Sequence, residues 1–389
     1  MKKKIILGIM VVLVSGTFIG LDIAAARAAD KLNRVYRKTP YTPTKRGTAV
    51  HSGLVLADLH ADPLLWDRDL NERSSEGHVD VPRLLAGNVA LQIFSVVTKT
   101  PKNMNTERND DTTDDVRLLA VAQRWPPTTW TSLKARALYQ AEKLADIAED
   151  SDGKLVFLRT RAELERFLSE REKDKGRVGA VLALEGMHAL EGKAEAVDEL
   201  YDAGFRMLGF AHFFDNEVSG SAHGVKKEGL TELGRAVVKR MEERGMTLDL
   251  AHASRKTFED VLAIATRPVV VSHTGVKGTC DNNRNLSDSQ LRAITRNGGV
   301  VGIGYWSTAT CGKDAKAIAR AIRHAVSVAG IDHVGLGSDF DGAVATPFDT
   351  AGLVEVTDAL IAEGFGEGEI RKIAGENVLR VLRANLPAQ

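Results

Sequence analysis

Eight short, nearly continuous apolar runs recur between residues 54 and 340, and they constrain the fold more than any other feature of the chain. They are LVLADLH (54–60), VALQIFSVV (89–97), VGAVLALE (178–185), FRMLGFAH (205–212), MTLDLAH (246–252), PVVVSH (268–273), GVVGIGYW (299–306) and HVGLGSDF (333–340). A strand with one wet face alternates apolar and polar residues, whereas runs without alternation suit strands buried on both faces. Most of the intervening stretches have helical spacing, as in LTELGRAVVKRMEERG, RKTFEDVLAIAT and DAKAIARAIRHAVSVAG. Strands and helices alternating in this number predict an α/β fold, a closed (β/α)8 TIM barrel. A doubly wound open sheet is the alternative, but no GxGxxG follows the first run. The connection from about Thr98 to Arg177 is unusually long; it holds the acidic patch NTERNDDTTDD and a strong helical pattern from Ser132 to Glu149. It reads as an elaborated loop with its own helices rather than a second domain. Two further helices after Gly342 are expected on the barrel's outside.

The first residues follow a different logic. Three lysines precede an apolar stretch from Ile5 to Leu21, and alanines at 24–26, 28 and 29 offer A-x-A cleavage sites. Residues 1–29 are therefore expected to be a signal peptide or an N-terminal membrane anchor, residues 30–49 a linker, and residues 50–389 the catalytic domain. A stretch of seventeen residues lies at the short limit for spanning a bilayer, so length does not choose between leader and anchor. Either way the body is expected to be exported, periplasmic or anchored facing the extracytoplasmic side, with the N-terminal segment engaging the membrane or the export machinery. In that compartment the two cysteines, Cys280 and Cys311, could pair, which the chain-entropy relation values at about 3 to 4 kcal/mol; two free buried thiols are the alternative. Lys+Arg and Asp+Glu are balanced at 52 each, so no positive field exists to hold a nucleic acid. Hydrophobic residues at 43% and charged residues at 27% argue against disorder and against a polytopic membrane protein.

The chemistry collects where the runs end. In a barrel the C-terminal ends of the strands converge on one mouth. Those ends carry His60 and Asp62, then Glu185, His212, His252, His273 and Asp339. Buried imidazoles and carboxylates need partners. A lone histidine after an apolar run is ordinarily structural, but this many titratable groups at equivalent ends point to a metal site. Imidazole nitrogens and carboxylate oxygens suit zinc. His60 and Asp62, one residue apart, share a side of an extended strand end; Glu185 could bridge two metals, and His252 with His273 would complete the second site. Asp339 would act as general base and then pass the proton to a leaving nitrogen; its alternative is a turn aspartate, a role that suits Asp341 better. Arg284 fits either a bidentate carboxylate clamp or a structural salt bridge. The remaining histidines read as structural: His51 and His78 in loops, His324 on a helix, His333 at a strand start, with His188 and His223 close to the mouth.

The strings DLHADPLLW, LEGMHAL, LDLAHAS, VVVSHTGVKGTCDNNRNLSD and VGLGSDFDGA, in that order, resemble the membrane dipeptidase (renal dipeptidase) family, binuclear zinc peptidases of the amidohydrolase superfamily. The resemblance runs from about residue 50 to residue 385 and includes GHVDVPRL at 77–84. It implies a metallo-dependent hydrolase barrel that cleaves the amide of a small dipeptide with a free C-terminal carboxylate. It implies two zinc ions per chain, bridged by Glu185 and by an attacking hydroxide, with His60 and Asp62 on one and His252 and His273 on the other. By the same resemblance Asp339 manages the proton, His212 contacts substrate and stabilises the oxyanion, and Arg284 and Tyr305 hold the carboxylate. Cys280 and Cys311 fall where the mammalian enzyme has a disulfide. Ala61 departs from the asparagine of renal-type members, and the 98–177 connection, with its WPPTTW at 125–130, prevents side-chain specificity from being carried over. A metal-dependent amidase or lactamase acting on N-acyl amino acids or cyclic amides is the alternative activity, and a binding protein without turnover is a third reading. A bridging carboxylated lysine is disfavoured because no run ends in lysine. Oligomeric state stays open, a homodimer among the options.

Overall fold

The computed structural model of the chain describes residues 23–37 and 39–389. Most of the expected leader, residues 1–22, lies outside the described residues; residues 23–32 form a helix. No helix among the described residues is long and apolar enough to cross a membrane.

The apolar runs become strands β1 (Leu56–Ala61), β2 (Val89–Val97), β4 (Val178–Glu185), β5 (Phe205–Gly209), β6 (Thr247–Asp249), β7 (Val270–Thr274), β8 (Val300–Ile303) and β9 (Val334–Leu336), with an additional short β3 (Leu155–Phe157). Every residue of β1, β2, β4 and β5 is buried, as unbroken apolar runs require. All pairings are parallel, in the order β2-β1-β9-β8-β7-β6-β5-β4-β3, and β2 also pairs with β4. That last pairing closes an eight-strand (β/α)8 barrel. Its register, Leu91↔Gly179 through Val97↔Glu185, sets the ends of β2 and β4 level at the mouth. β3 is no barrel stave: it pairs with Val178, Gly179 and Ala180 at the start of β4, and β5 takes the same edge from Leu182 onward.

Local chemistry fixes the helices. Leu133–Glu149 starts on Ser132, whose side chain accepts from Ala135 N–H, and realises the pattern read across 132–149. Glu232–Arg244 starts on Thr231 and stops at Gly245, whose φ of 71° is in the left-handed region that glycine adopts freely. Arg255–Ile264 and Ala315–Ala329 are capped by Ser254 and Asp314. The C-terminal helix Asn377–Asn385 brings Val378, Leu382 and Leu386, just beyond it, into a cluster with Ala57, Leu59, Leu91, Ile93, Val181 and Val300 of the strands. The 30–49 segment, expected as a linker, lies on the barrel: Val35 bridges to Thr346, Tyr41 donates to Asp349 at 2.8 Å, and the helix Lys45–Ser52 begins within it. His51 therefore stands on a helix rather than in the loop expected for it.

Candidate metal centre

Several strands end short of the residues that the apolar runs suggested. β5 stops three residues before His212, β6 three before His252, and β9 three before Asp339. His252 and Asp339 adopt φ of 60° and 61°, a left-handed turn that lets the first loop residues fold back over the mouth. Asp339 is anchored there by its N–H to the His60 carbonyl (3.2 Å). Beneath it the buried Asp58 accepts from Ser338 N–H (2.7 Å) and Ser338 Oγ (2.6 Å).

The side chains converge. His60 Nε2 lies 3.2 Å from Asp62 Oδ2, 3.8 Å from Glu185 Oε1 and 3.9 Å from Asp339 Oδ1. His252 Nε2 and His273 Nε2 are 3.0 Å apart and lie 3.1 and 3.3 Å from Glu185 Oε1. His212 Nε2 is 3.2 Å from the other oxygen, Oε2. All these residues are buried. Glu185 thus faces both groups, as a bridging carboxylate must. Three geometric sets could each hold an ion: His60, Glu185 and His273; Glu185, His212 and His252; His60, Asp62 and Asp339.

The donor set fits divalent cations. Glu185 Oε1 and Asp62 Oδ1 are buried without a hydrogen-bond partner among the described residues. Two imidazole nitrogens 3.0 Å from one another and 3.1 and 3.3 Å from a single carboxylate oxygen form a cluster of lone pairs that a shared cation satisfies. Without one the centre is electrostatically poor. Burial first, then Asp62 and Asp339 nearby, push Glu185 well above the carboxylate range, and burial raises Asp339 to about 8. Burial also pushes His212, His252 and His273 down. Burial opposes the charge on His60 too, but the carboxylates of Asp62, Glu185 and Asp339 outweigh it and raise the ring to about 10.

Arg284 arrives on the loop after β7. Its Nη2–H donates to the His273 carbonyl (2.8 Å), and its guanidinium lies over Trp306 at 5.2 Å. It is buried beside the centre, with Asp339 and Glu185 supporting its charge against desolvation. The loop is tied to the one after β8 by the Cys280–Cys311 disulfide, and Asn285 Nδ2 donates across to Ala309 O at 3.0 Å. A cavity of about 210 Å³ opens on Asp62, Glu185, His212, His252, His273, Arg284 and Asp339, with Leu65, Met104, Phe213, Trp306 and Val344 forming apolar wall. Tyr305 is not on that wall. It packs edge-on against Phe340 and Phe348, fully buried, its hydroxyl without a partner among the described residues. Trp306, the next residue, takes the wall instead. Sequence reasoning also passed over Phe213 and the Met104–Thr106 stretch; Phe213 adjoins a histidine already singled out, whereas nothing in the long connection marks Met104.

The other histidines have structural partners. His51 bridges Thr357 and the Gly87 carbonyl, His78 accepts from Asp341 N–H, His188 pairs with Thr98, His324 with Asp288, and His333 with the Gly299 carbonyl. His223 Nδ1 meets the Thr106 carbonyl at 2.8 Å and so holds the loop that carries Met104.

Known proteins are similar to this chain over most of its length. An uncharacterized dipeptidase of Schizosaccharomyces pombe is 28% identical over 360 residues, 88% of this chain and 83% of that protein. A dipeptidase of Aspergillus oryzae is 28% identical over 358 residues, 84% of this chain and 77% of its own length. Among solved structures, a metallopeptidase from Rhodobacter sphaeroides, liganded with a phosphinate mimic of the dipeptide L-Ala-D-Ala, superposes with a TM-score of 0.69 at 26% identity, covering 85% of this chain and 99% of that one. Residues 44–388 match the membrane dipeptidase family, peptidase family M19, as a single stretch, and the chain belongs to that family of metallopeptidases.

Proposed function

We propose that this metallo-dipeptidase hydrolyses the amide bond of a dipeptide with a free C-terminal carboxylate, using two zinc ions. His60, Asp62 and Glu185 would hold one ion, and Glu185, His252 and His273 the other. Bound there, such ions supply Lewis-acid polarisation of the amide carbonyl and a water acidic enough to react at neutral pH. The chain's own groups do the rest. Arg284 pairs with the substrate carboxylate and so sets the distance of the scissile amide from the centre. Asp339 accepts the proton of the attacking water as the C–O bond forms, and returns it to the nitrogen as the C–N bond breaks. His212, kept neutral by burial, donates a hydrogen bond to the developing oxyanion. Tyr305 is left out of the carboxylate site because it stands in the core.

The observation that carries this reading is the convergence of three imidazole nitrogens on one oxygen of a buried glutamate, beside a buried arginine. The relative with the bound dipeptide mimic supports the substrate class. The test is elemental analysis paired with hydrolysis of L,L- and L,D-dipeptides before and after chelation. Near two zinc per chain with chelator-sensitive cleavage is the expected result. Two zinc with turnover only on N-acyl amino acids or cyclic amides would replace the dipeptide by those amides. No metal after reconstitution would end the mechanism. We further infer that the protein works outside the cytoplasm, since the Cys280–Cys311 bond suits an oxidising compartment.

A further inference from the structure

We propose that Ser272 is a positioning residue that couples the two metal positions, its single hydroxyl oxygen accepting the Nδ1–H of both His60 and His273. The inference rests on the binuclear reading above. Ser272 Oγ lies 2.9 Å from His273 Nδ1 and 3.5 Å from His60 Nδ1. One hydroxyl reaches both because the two rings stack, centroids 3.7 Å apart at 28°, with their Nδ1 edges on the same side. Their Nε2 edges point the other way, His60 at Asp62 and Glu185 and His273 at Glu185. A cation takes a neutral imidazole through its lone pair, so a metal at Nε2 leaves the ring proton on Nδ1. Two such N–H groups, buried side by side, need acceptors. A serine oxygen has two lone pairs and can serve both while its own proton turns elsewhere. His60 belongs to one proposed ion and His273 to the other, so the same atom selects the tautomer of a ligand on each side.

Ser272 is itself held from three directions. Its N–H donates to Asp249 Oδ1 at 2.9 Å, and Asp249 also accepts from Ala251 N–H at 3.0 Å. Its carbonyl sits against two glycines of neighbouring chain segments: a Cβ at Gly302 would lie 2.1 Å from Ser272 O, and one at Gly337 1.9 Å from it. The backbone that carries the hydroxyl is thus fixed by β6, by β8 and by the turn after β9, which is what a positioning group requires.

The test uses the full-length protein and Ser272→Ala, each stripped of metal and titrated with zinc against a chromophoric chelator. The ring N–H signals of the zinc-loaded proteins are recorded by NMR on ¹⁵N-histidine samples, and melting of the metal-free proteins is recorded alongside. The expected result is two zinc per chain in the wild type, with both binding steps weakened by about 10- to 100-fold in the variant. Two hydrogen-bonded Nδ1–H signals should be displaced together. Superimposable titrations, or displacement of the His273 signal alone, would overturn the coupling. So would a lower metal-free melting temperature with both ring signals unmoved, since that describes a packing defect. A wild type that takes up no zinc would remove the binuclear reading and the proposal together, whereas two zinc in both proteins with equal affinity removes only the proposal.

Discussion

Arg284 gives one Nη2–H to the His273 carbonyl and holds its guanidinium over Trp306 at 5.2 Å, so its position is set before any substrate arrives. Removing a charge-assisted contact of this kind costs about 1.5 to 3 kcal/mol, so Arg284→Ala should raise KM for dipeptides roughly 10- to 100-fold with a smaller change in kcat. Lysine should restore little, because a point charge lacks the planar fork. Steady-state kinetics on a dipeptide and its C-terminal amide check the assignment: an equal loss on both would mean that Arg284 does not hold the carboxylate. Asp339→Asn preserves shape and tolerates the φ of 61°, since asparagine enters the left-handed region readily. It cannot take up a proton, so kcat should fall about 10²- to 10⁴-fold while zinc content stays unchanged. Turnover near wild type with full metal would assign the proton to another group. His60, Glu185 and His273 were legible because each closes an apolar run. Tyr305 was not, because β8 ends at Ile303 and the alternation of faces that would predict its direction ends with it.

The elements show where sequence reading stops. All eight staves were readable as apolar runs, and four helices as periodic stretches. β3 was not: three residues paired only to the foot of β4 carry too short a pattern to stand out. The early ends of β5, β6 and β9 were also hidden, since Phe210 and Ala211, Leu250 and Ala251, and Phe340 carry the apolar runs past residues where the backbone has already turned. Close approach between elements is equally silent in sequence and directly testable. A methyl at Gly337 would meet the Ser272 carbonyl, backbone that cannot swing aside. Gly337→Ala should therefore destabilise by about 1 to 3 kcal/mol, read as a lower denaturant midpoint at unchanged m-value. The disulfide acts at the same scale. It closes a loop of sequence separation 31 and ties the Arg284 loop to the Trp306 loop. Replacing both cysteines by serine should cost about 3 to 4 kcal/mol of stability by the chain-entropy relation. It should also raise KM more than it lowers kcat. An unchanged KM would show that Asn282 and Asn285, which donate to Thr308 O at 2.8 Å and Ala309 O at 3.0 Å, hold the two loops without the bond.

Across the whole molecule, the pH dependence of stability follows from basic groups buried away from the centre. His78 is fully buried; desolvation lowers its pKa to about 4, with Arg83 and Arg68 adding to the shift and Asp341 only partly opposing it. His51, buried between Thr357 and Gly87, is lowered for the same reason. Lys143, whose Nζ donates to Leu64 O at 2.8 Å and Trp66 O at 3.0 Å, is lowered by burial to about 8. For each group the unfolded chain binds the proton more tightly than the folded one, so stability rises with pH between the folded and the unfolded pKa. His78 and His51 place one rise on the acid side, ending near pH 6.5, and the His78 displacement alone corresponds to about 3 kcal/mol. Lys143 places a second between pH 8 and 10.5, and between the two windows these groups contribute no slope. Denaturant unfolding of the metal-free protein at a series of pH values should show both rises. In His78→Gln the absolute stability can fall for packing reasons, but the slope between pH 4 and 6.5 should flatten, and in Lys143→Met the alkaline slope should vanish. A variant that keeps the wild-type slope would place the titrating group elsewhere; on the acid side His188 and His223, which burial also lowers, and the carboxylates and imidazoles of the metal-free centre would be the groups left to account for it.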